Sequence, residues 1–213
     1  MINFKKDTSG FTIIELMIAT SVFSVVLLLC ATAIVEVGRT YSRGLISNRT
    51  QNISRQVSDD IAQSIQFGAR STTFDVTGPN VTLSGVETRV RCFGEVRYTY
   101  TVNRSLGTDN LTNQSRHVLW KDRITIGSPC VALDLTLTVP SANGTELLGA
   151  NMRIVELTAI DTGGLWRIKT IVAYGEEPDM FVTGSNFTQC ESFRNGGQFC
   201  VISTINTNVV KRL

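Results

Sequence analysis

Residues 7–20 read DTSGFTIIELMIAT and open the apolar stretch that decides the fold. The stretch runs from Phe11 to Val35, and Glu15 is its only charged residue. As an α-helix it extends about 37 Å, enough to cross a hydrocarbon core of ~30 Å with some tilt. A carboxylate inside that core costs roughly 2.5–3.5 kcal/mol. The stretch predicts a membrane helix, and Glu15 requires its own explanation.

The simplest interpretation of such a stretch is a plain single-pass anchor. It is too long and too continuous for the apolar region of a secretory signal peptide. Lys5 and Lys6 precede it, while Arg39 and Arg43 follow it. Because the two ends carry similar positive charge, the charge distribution alone does not fix the orientation in the membrane.

A specific motif surrounds Glu15. A short hydrophilic leader, MINFKKDTSG, ends at Gly10, and residues 10–17 read GFTIIELM. This sequence resembles the processing motif of the type IV pilin and pseudopilin family. The resemblance implies that a membrane prepilin peptidase cleaves between Gly10 and Phe11 on the cytoplasmic side, and that Phe11 is then N-methylated.

The same resemblance gives Glu15 a role in assembly. Cleavage would create a positively charged amine on Phe11, and Glu15 lies one helical turn away. In a bundle of such helices the carboxylate can face the Phe11 amine of a neighbouring subunit, where opposite charges attract strongly and either charge alone is penalised. The alternative is a Glu15 side chain that reaches the lipid headgroups near the helix end.

The helix is predicted to continue beyond the membrane as an amphipathic segment. Gly38 and Gly44 are each roughly 1 kcal/mol worse than Ala in a helix, so they mark a place to bend or melt. Gly68 is predicted to close the helix. One apolar stripe with helical spacing is formed by Ile46, Ile53, Val57, Ile61 and Ile65.

The rest of the chain predicts short antiparallel strands. In 131–139, five alternating apolar residues would share one face, and DTGG at 161–164 is a hairpin turn signal. The predicted fold class is α+β, a pilin-like long N-terminal helix with a membrane half and an amphipathic half, packed on an antiparallel β-sheet head. The predicted strands are 86–93, 95–102, 117–121, 131–139, 151–160 and 165–175.

The resulting organisation has four parts. They are a leader at 1–10, a transmembrane and polymerisation helix at 11–36, an amphipathic helix at 37–68, and a β-rich head outside the cytoplasm at 69–213.

The cysteines agree with an exported head. Cys30 lies in the apolar stretch and is interpreted as a small hydrophobic residue. The other four form an even set, for which disulfides are expected and three pairings can be drawn. We prefer Cys190–Cys200, which closes a short loop, together with Cys92–Cys130; free buried thiols are the alternative. A C-terminal disulfide loop is also common in type IV pilins.

The sequence predicts no enzyme, cofactor or metal site. His117 is the only histidine, and it lies in a predicted strand beside Leu119 and Trp120. Its position favours a structural role, and no C-x-x-C accompanies it for zinc. The glycine pairs at 163–164 and 196–197 belong to a turn and to the Cys190–Cys200 loop rather than to a phosphate-binding motif. The net charge of +2 gives no argument for nucleic acid.

The sequence therefore predicts a structural subunit of a type IV pilus or pseudopilus. Without the leader the chain keeps 203 of its 213 residues, and its membrane helix has no Pro, which favours a minor over a major pilin. Implied partners are other pilin subunits, the prepilin peptidase, the assembly platform and the cytoplasmic membrane, with a head ligand or DNA left open. The subunit would span the membrane once and reach the cell surface after assembly. The alternatives are an anchored extracellular binding module that does not polymerise and, more remotely, an anchored enzyme.

Overall fold

The structure is a computed structural model that divides into two compact units, Met1–Ser42 and Arg43–Leu213. The first unit contains the apolar part of a helix. The second contains the rest of that helix and a β-rich head. The residues described are 10–68, 75–78, 80–107, 114–125, 127–175, 180–192 and 197–211.

A single helix, α1, runs Ile13–Phe67. It begins directly after Thr12 and ends before Gly68, which confirms the predicted end. Gly38 and Gly44 both lie within α1, so the chain stays helical at both residues. A Cβ at either position would meet no atom of the described residues within 4 Å, so packing among these residues does not require a glycine there.

In the second unit α1 buries one face. Val57, Ile61 and Ile65 of the predicted stripe are buried, and Ile53 packs partly against the same core. Small polar side chains on this face, Ser54 and Ser58 among them, are buried as well. The amphipathic pattern thus identifies the side of α1 that meets the head.

Eleven strands lie in the described part of the head. They are β1 (Asp75–Thr77), β2 (Val81–Leu83), β3 (Val86–Phe93), β4 (Val96–Tyr100), β5 (Ser105–Leu106), β6 (Gln114–Ser115), β7 (Leu119–Arg123), β8 (Thr145–Glu146), β9 (Met152–Asp161), β10 (Leu165–Tyr174) and β11 (Val201–Val210).

The strands form two antiparallel sheets and one short parallel pair. The first sheet has the order β1-β3-β4-β7-β8, with β2 also paired to β3. The second has the order β11-β10-β9, and β5 pairs with β6 in parallel. Helix and sheets share one core, to which α1 contributes Ile61, the first sheet Tyr98 and the second sheet Ile168. The predicted α+β fold with a long N-terminal helix on an antiparallel head is confirmed.

The predicted strand at 131–139 is wrong. The segment contains no strand, and a turn begins at Leu135. Leu135 is buried, whereas Val131, Leu137 and Val139 are at least half exposed, so the alternating residues do not share one environment. The carbonyl groups of segment 131–139 instead accept hydrogen bonds from residues in and beside the first sheet. The Val131 carbonyl accepts from the Arg97 side chain, and the Leu135 carbonyl accepts from the His117 amide.

The strand β11 was not predicted, although it is one of the longest strands. Five of its ten residues are Ser, Thr or Asn, and they do not alternate regularly with the apolar ones, so the hydrophobic pattern of a strand is weak. The strand exists because it pairs along its full length with β10, from Val201 opposite Tyr174 to Val210 opposite Leu165.

Candidate assembly site

The N-terminal part of α1, residues 13–41, is largely apolar and is not covered by the described residues. Residues 13–41 are all exposed, and Phe11 before them is 87% exposed. By length and composition, α1 is the one helix among the described residues that is long and apolar enough to cross a membrane. Such a surface is stable only against lipid or against other apolar helices.

The hydroxyl groups on this part of α1 are satisfied inside the helix. Thr20 Oγ1 donates to the Leu16 carbonyl at 3.0 Å, and Ser24 Oγ donates to the Thr20 carbonyl at 2.8 Å. Ser21 and Thr32 bond in the same way to carbonyls three residues earlier. Because no hydroxyl of this group needs water as a partner, the polar residues are compatible with hydrocarbon.

Glu15 is held by Thr12 at the first turn. The Thr12 amide and hydroxyl both donate to Glu15 Oε2, at 3.0 and 2.9 Å, and the Glu15 amide donates to Thr12 Oγ1 at 3.3 Å. This is a capping box, in which Thr12 is the N-cap and Glu15 the third helical residue. The capping role of Thr12 was not predicted, although the T-x-x-E pattern of residues 12–15 is its signal in the sequence.

The Gly10–Phe11 junction lies just outside this turn. Gly10 is exposed, and a Cβ built on it would meet no atom of the described residues within 4 Å. The backbone before the helix is therefore open to approach. Residues 1–9, which include Lys5 and Lys6 and most of the leader, lie outside the described residues.

A polar cluster fixes the second part of α1 to the first sheet. Asp60 accepts hydrogen bonds from Tyr98 Oη at 2.7 Å and from Lys121 Nζ at 2.5 Å. Ser64 Oγ lies 2.7 Å from the same Tyr98 hydroxyl. Tyr98 is only 1% exposed, and burial, with the negative charge of Asp60 adding to it, raises the pKa of Tyr98 well above its usual range. Ser58 makes a separate link, at 2.9 Å, to Thr207 of β11.

Two disulfides connect the head. Cys92 of β3 is bonded to Cys130, and Cys190 is bonded to Cys200 just before β11, the pairing preferred from the sequence. Cys92 and Cys130 are buried together with Val90 and Ala132. Cys30 on the apolar part of α1 is a free, exposed thiol.

The segment just before the Cys190–Cys200 loop packs on β9 through a buried cation. The guanidinium carbon of Arg153 lies 4.8 Å from the ring centre of Phe181 and 4.4 Å from that of Phe187. Its Nη2 donates to the Gly175 carbonyl at 2.9 Å. Burial lowers the pKa of Arg153 to about 10. The aromatic contacts compensate part of the desolvation of this charge.

His117 has structural contacts. Its ring packs edge-on against Trp120, and Nε2 lies 3.2 Å from the Thr138 carbonyl. Nδ1 is 3.5 Å from Glu146, whose carboxylate accepts hydrogen bonds from the amides of Val118 and Leu119. Among the described residues, no three His, Cys, Asp or Glu side chains form a group that could hold a metal ion.

One comparison with known proteins gives a match. Residues 5–31 match the family model of the prokaryotic N-terminal methylation motif, which includes the Gly10–Phe11 junction, Thr12 and Glu15. No significant match was found among curated proteins or among solved structures. The match supports the resemblance to type IV pilins and pseudopilins, and with it a structural protein that is processed and anchored through its N-terminal helix.

Proposed function

Because this chain carries the N-terminal methylation motif of type IV pilins and pseudopilins, we propose that it is a minor subunit of a type IV pilus or related pseudopilus, polymerising through the N-terminal part of α1. The observation that carries the proposal is the combination of this motif with a helix whose apolar surface is uncovered in the single chain. The absence of Pro from the membrane helix at 11–36 favours a minor subunit.

Processing is the first step. The prepilin peptidase cleaves between Gly10 and Phe11, and Phe11 is N-methylated. Gly10 is exposed, and a Cβ on it would meet no atom of the described residues within 4 Å, which supports access of a peptidase to this bond. The proposed parts of the chain are the leader at 1–10, the polymerisation helix at 11–36, its amphipathic continuation at 37–68 and the head at 69–213.

Assembly depends on Glu15. Its carboxylate receives two hydrogen bonds from Thr12 at one oxygen, Oε2. A carboxylate has about four acceptor positions, so it retains capacity for the Phe11 amine of a neighbouring subunit. Because the capping box limits the movement of the side chain, Thr12 acts as a positioning residue for this contact.

The orientation of the subunit in the membrane follows from cleavage on the cytoplasmic side at one end of the helix and from the disulfide-bonded head at the other. Before assembly the helix anchors the subunit in the cytoplasmic membrane, with the head outside the cytoplasm. Two disulfides in the head agree with an oxidising compartment. After assembly the subunit lies in a filament with other pilin subunits, delivered by an assembly platform.

The test is the distribution of the protein after filaments are sheared from cells. We expect processed protein in the filament fraction and its loss from that fraction when the prepilin peptidase is deleted. An anchored binding module that does not polymerise would instead remain entirely in the membrane fraction, with or without shear, and that result would refute the proposal.

A further inference from the structure

The strand β11 forms an open edge of the second sheet. It pairs with β10 over ten residue pairs, and the sheet order β11-β10-β9 places no strand on its other side. Among the described residues, none forms a backbone hydrogen bond to that side of 201–210. A row of backbone donors and acceptors is therefore available there.

The register identifies these groups. The Thr162 amide donates to the Leu165 carbonyl at 2.9 Å where β9 turns into β10. Hydrogen-bonded pairs alternate in antiparallel sheets, so odd-numbered residues of β10 bond to β9 and even-numbered residues bond to β11. In β11 the odd-numbered residues then face β10, since Val209 pairs with Trp166. The residues whose N–H and C=O point to the open edge are Ile202, Thr204, Asn206, Asn208 and Val210.

This edge lacks the features that normally block strand pairing. Exposed edges are usually short or carry charges, prolines or bulges. β11 has ten residues, no Pro and no charged side chain, and Lys211 follows only after its end. Its register with β10 is uninterrupted, whereas β9 and β10 shift register between Ile171 and Val172.

We propose that the open edge of β11 is a docking site for an extended segment of a different subunit of the same filament, which joins the sheet as a fourth strand. Alternating donors and acceptors along five residues match an extended polypeptide backbone and no small ligand. The identity of the occupant as another subunit rests on the proposed function.

The side chains beside the edge define the chemistry of the segment. Thr204, Asn206 and Asn208 are exposed on the outer face of the sheet. Side chains directly opposite each other on paired strands contribute to pairing, and neutral polar and β-branched partners suit these positions. The segment is therefore uncharged, free of Pro and rich in Thr, Asn, Ser or Val.

The test uses the full chain in detergent and a fluorescent peptide with a neutral core, acetyl-KTVNVTNVTK-amide. We expect saturable binding. Two further peptides carry N-methyl groups on one or the other alternating set of core amides. Because only one set faces β11, one methylated peptide is expected to bind like the parent and the other to bind about tenfold or more weakly.

A matched pair of variants tests the protein side. Asn206→Pro removes an edge amide without removing a β10–β11 hydrogen bond, and is expected to weaken binding about tenfold or more. Asn206→Ala keeps the amide and is expected to stay within about threefold of the unsubstituted chain. Intact disulfides and an unchanged unfolding midpoint establish that each variant is folded. If Asn206→Pro does not fold, the two methylated peptides alone decide whether binding depends on the edge of β11.

Four results overturn the proposal: no saturable binding, equal binding of both methylated peptides, equal weakening by Ala and Pro, or an edge-dependent dimer of this chain in light scattering. The last assigns the edge to a second copy. Each is independent of filament incorporation, so failure here leaves the sheared-filament test unaffected.

Discussion

Thr12 and Glu15 bind each other reciprocally across the first turn of α1. Glu15 Oε2 accepts from the amide and the hydroxyl of Thr12 at 3.0 and 2.9 Å, while Thr12 Oγ1 accepts from the Glu15 amide. Glu15 therefore has a role within its own chain in addition to the proposed contact with a neighbour. The two roles require different properties of the Glu15 side chain. Capping requires a hydrogen-bond acceptor, whereas the contact between subunits requires a negative charge.

Substitutions of Glu15 and Thr12 separate these roles. Glu15→Gln keeps a side chain that functions in a capping box but loses the charge, so we expect filament incorporation to fail nearly as badly as in Glu15→Ala. Removing one partner of a buried ion pair costs about 3–5 kcal/mol. Thr12→Val keeps the charge and loses the cap, about 0.5–2 kcal/mol, so incorporation is expected to fall less.

Incorporation is measured in sheared filaments beside a processing assay on the same variants, with Thr12→Ser as the control that keeps the hydroxyl. Membrane insertion is expected to persist or improve in Glu15→Ala, because the desolvation cost disappears, and cleavage after Gly10 is expected to continue. Normal incorporation of Glu15→Gln would show that the carboxylate serves the cap alone.

A second prediction concerns the Gly10–Phe11 bond. Gly10→Val is expected to block cleavage by crowding the peptidase site, without disturbing α1, because a Cβ at Gly10 meets no atom of α1 or of any other described residue within 4 Å. Intact-mass analysis of the assembled unsubstituted protein is expected to show an N-methylated Phe11 at the N-terminus. Retention of Met1 in assembled material, or normal cleavage of Gly10→Val, would contradict this assignment.

The parts of the fold that the sequence predicted depend on local patterns. Three such patterns lie within one helix and involve only residues close in sequence: the apolar stretch, the spacing of Val57, Ile61 and Ile65, and the glycine at 68. The structure agrees with all three. The T-x-x-E pattern that begins at Thr12 is equally local, so the capping box could also have been predicted from the sequence.

The parts that were missed depend on distant residues. Segment 131–139 has the apolar alternation of a strand but forms no strand pairing. The strand β11 has weak alternation, and it pairs with β10 along its full length. The contact of Asp60 with Tyr98 joins residues 38 positions apart and leaves no signature in either local sequence. Strand pairing and polar clusters of this kind follow from tertiary structure.

The two disulfides are expected to contribute unequally to stability. Cys92 and Cys130 are 38 residues apart and Cys190 and Cys200 are 10 apart. Since a longer closed loop restricts the unfolded chain more, the first is expected to contribute about 4 kcal/mol and the second about 2–3 kcal/mol. Paired Cys→Ala variants in denaturant unfolding measure the difference. Non-reducing peptide mapping that recovers Cys190 and Cys200 as free thiols in exported protein would exclude the second bond.

The Tyr98 hydroxyl is expected to stabilise the contact between α1 and the first sheet. Tyr98→Phe removes its hydrogen bonds to Asp60 and Ser64, so we expect the free energy of unfolding to fall by about 1–3 kcal/mol. Tyr174→Phe is the matched control, because no hydrogen bond of its hydroxyl occurs among the described residues, and it is expected to change stability by less than about 0.5 kcal/mol. Equal effects of both variants would show that the cluster contributes little.

Stability is expected to fall at alkaline pH through the same tyrosine. Burial raises the pKa of Tyr98 in the folded head, with the Asp60 charge adding to it, and burial raises the pKa of Tyr100 as well. The unfolded chain releases these protons near pH 10, while the folded chain retains them. Above about pH 10 the unfolded state therefore binds fewer protons, and the free energy of unfolding decreases by about 1.4 kcal/mol per pH unit for each such group.

Denaturant unfolding between about pH 9 and 11 measures this slope. Tyr98→Phe removes one titrating group, so its slope is expected to be shallower than that of the unsubstituted chain, with Tyr174→Phe again as the control. Parallel slopes for the unsubstituted chain and Tyr98→Phe would mean that Tyr98 ionises equally easily in the folded and unfolded chain, contrary to its buried contact with Asp60.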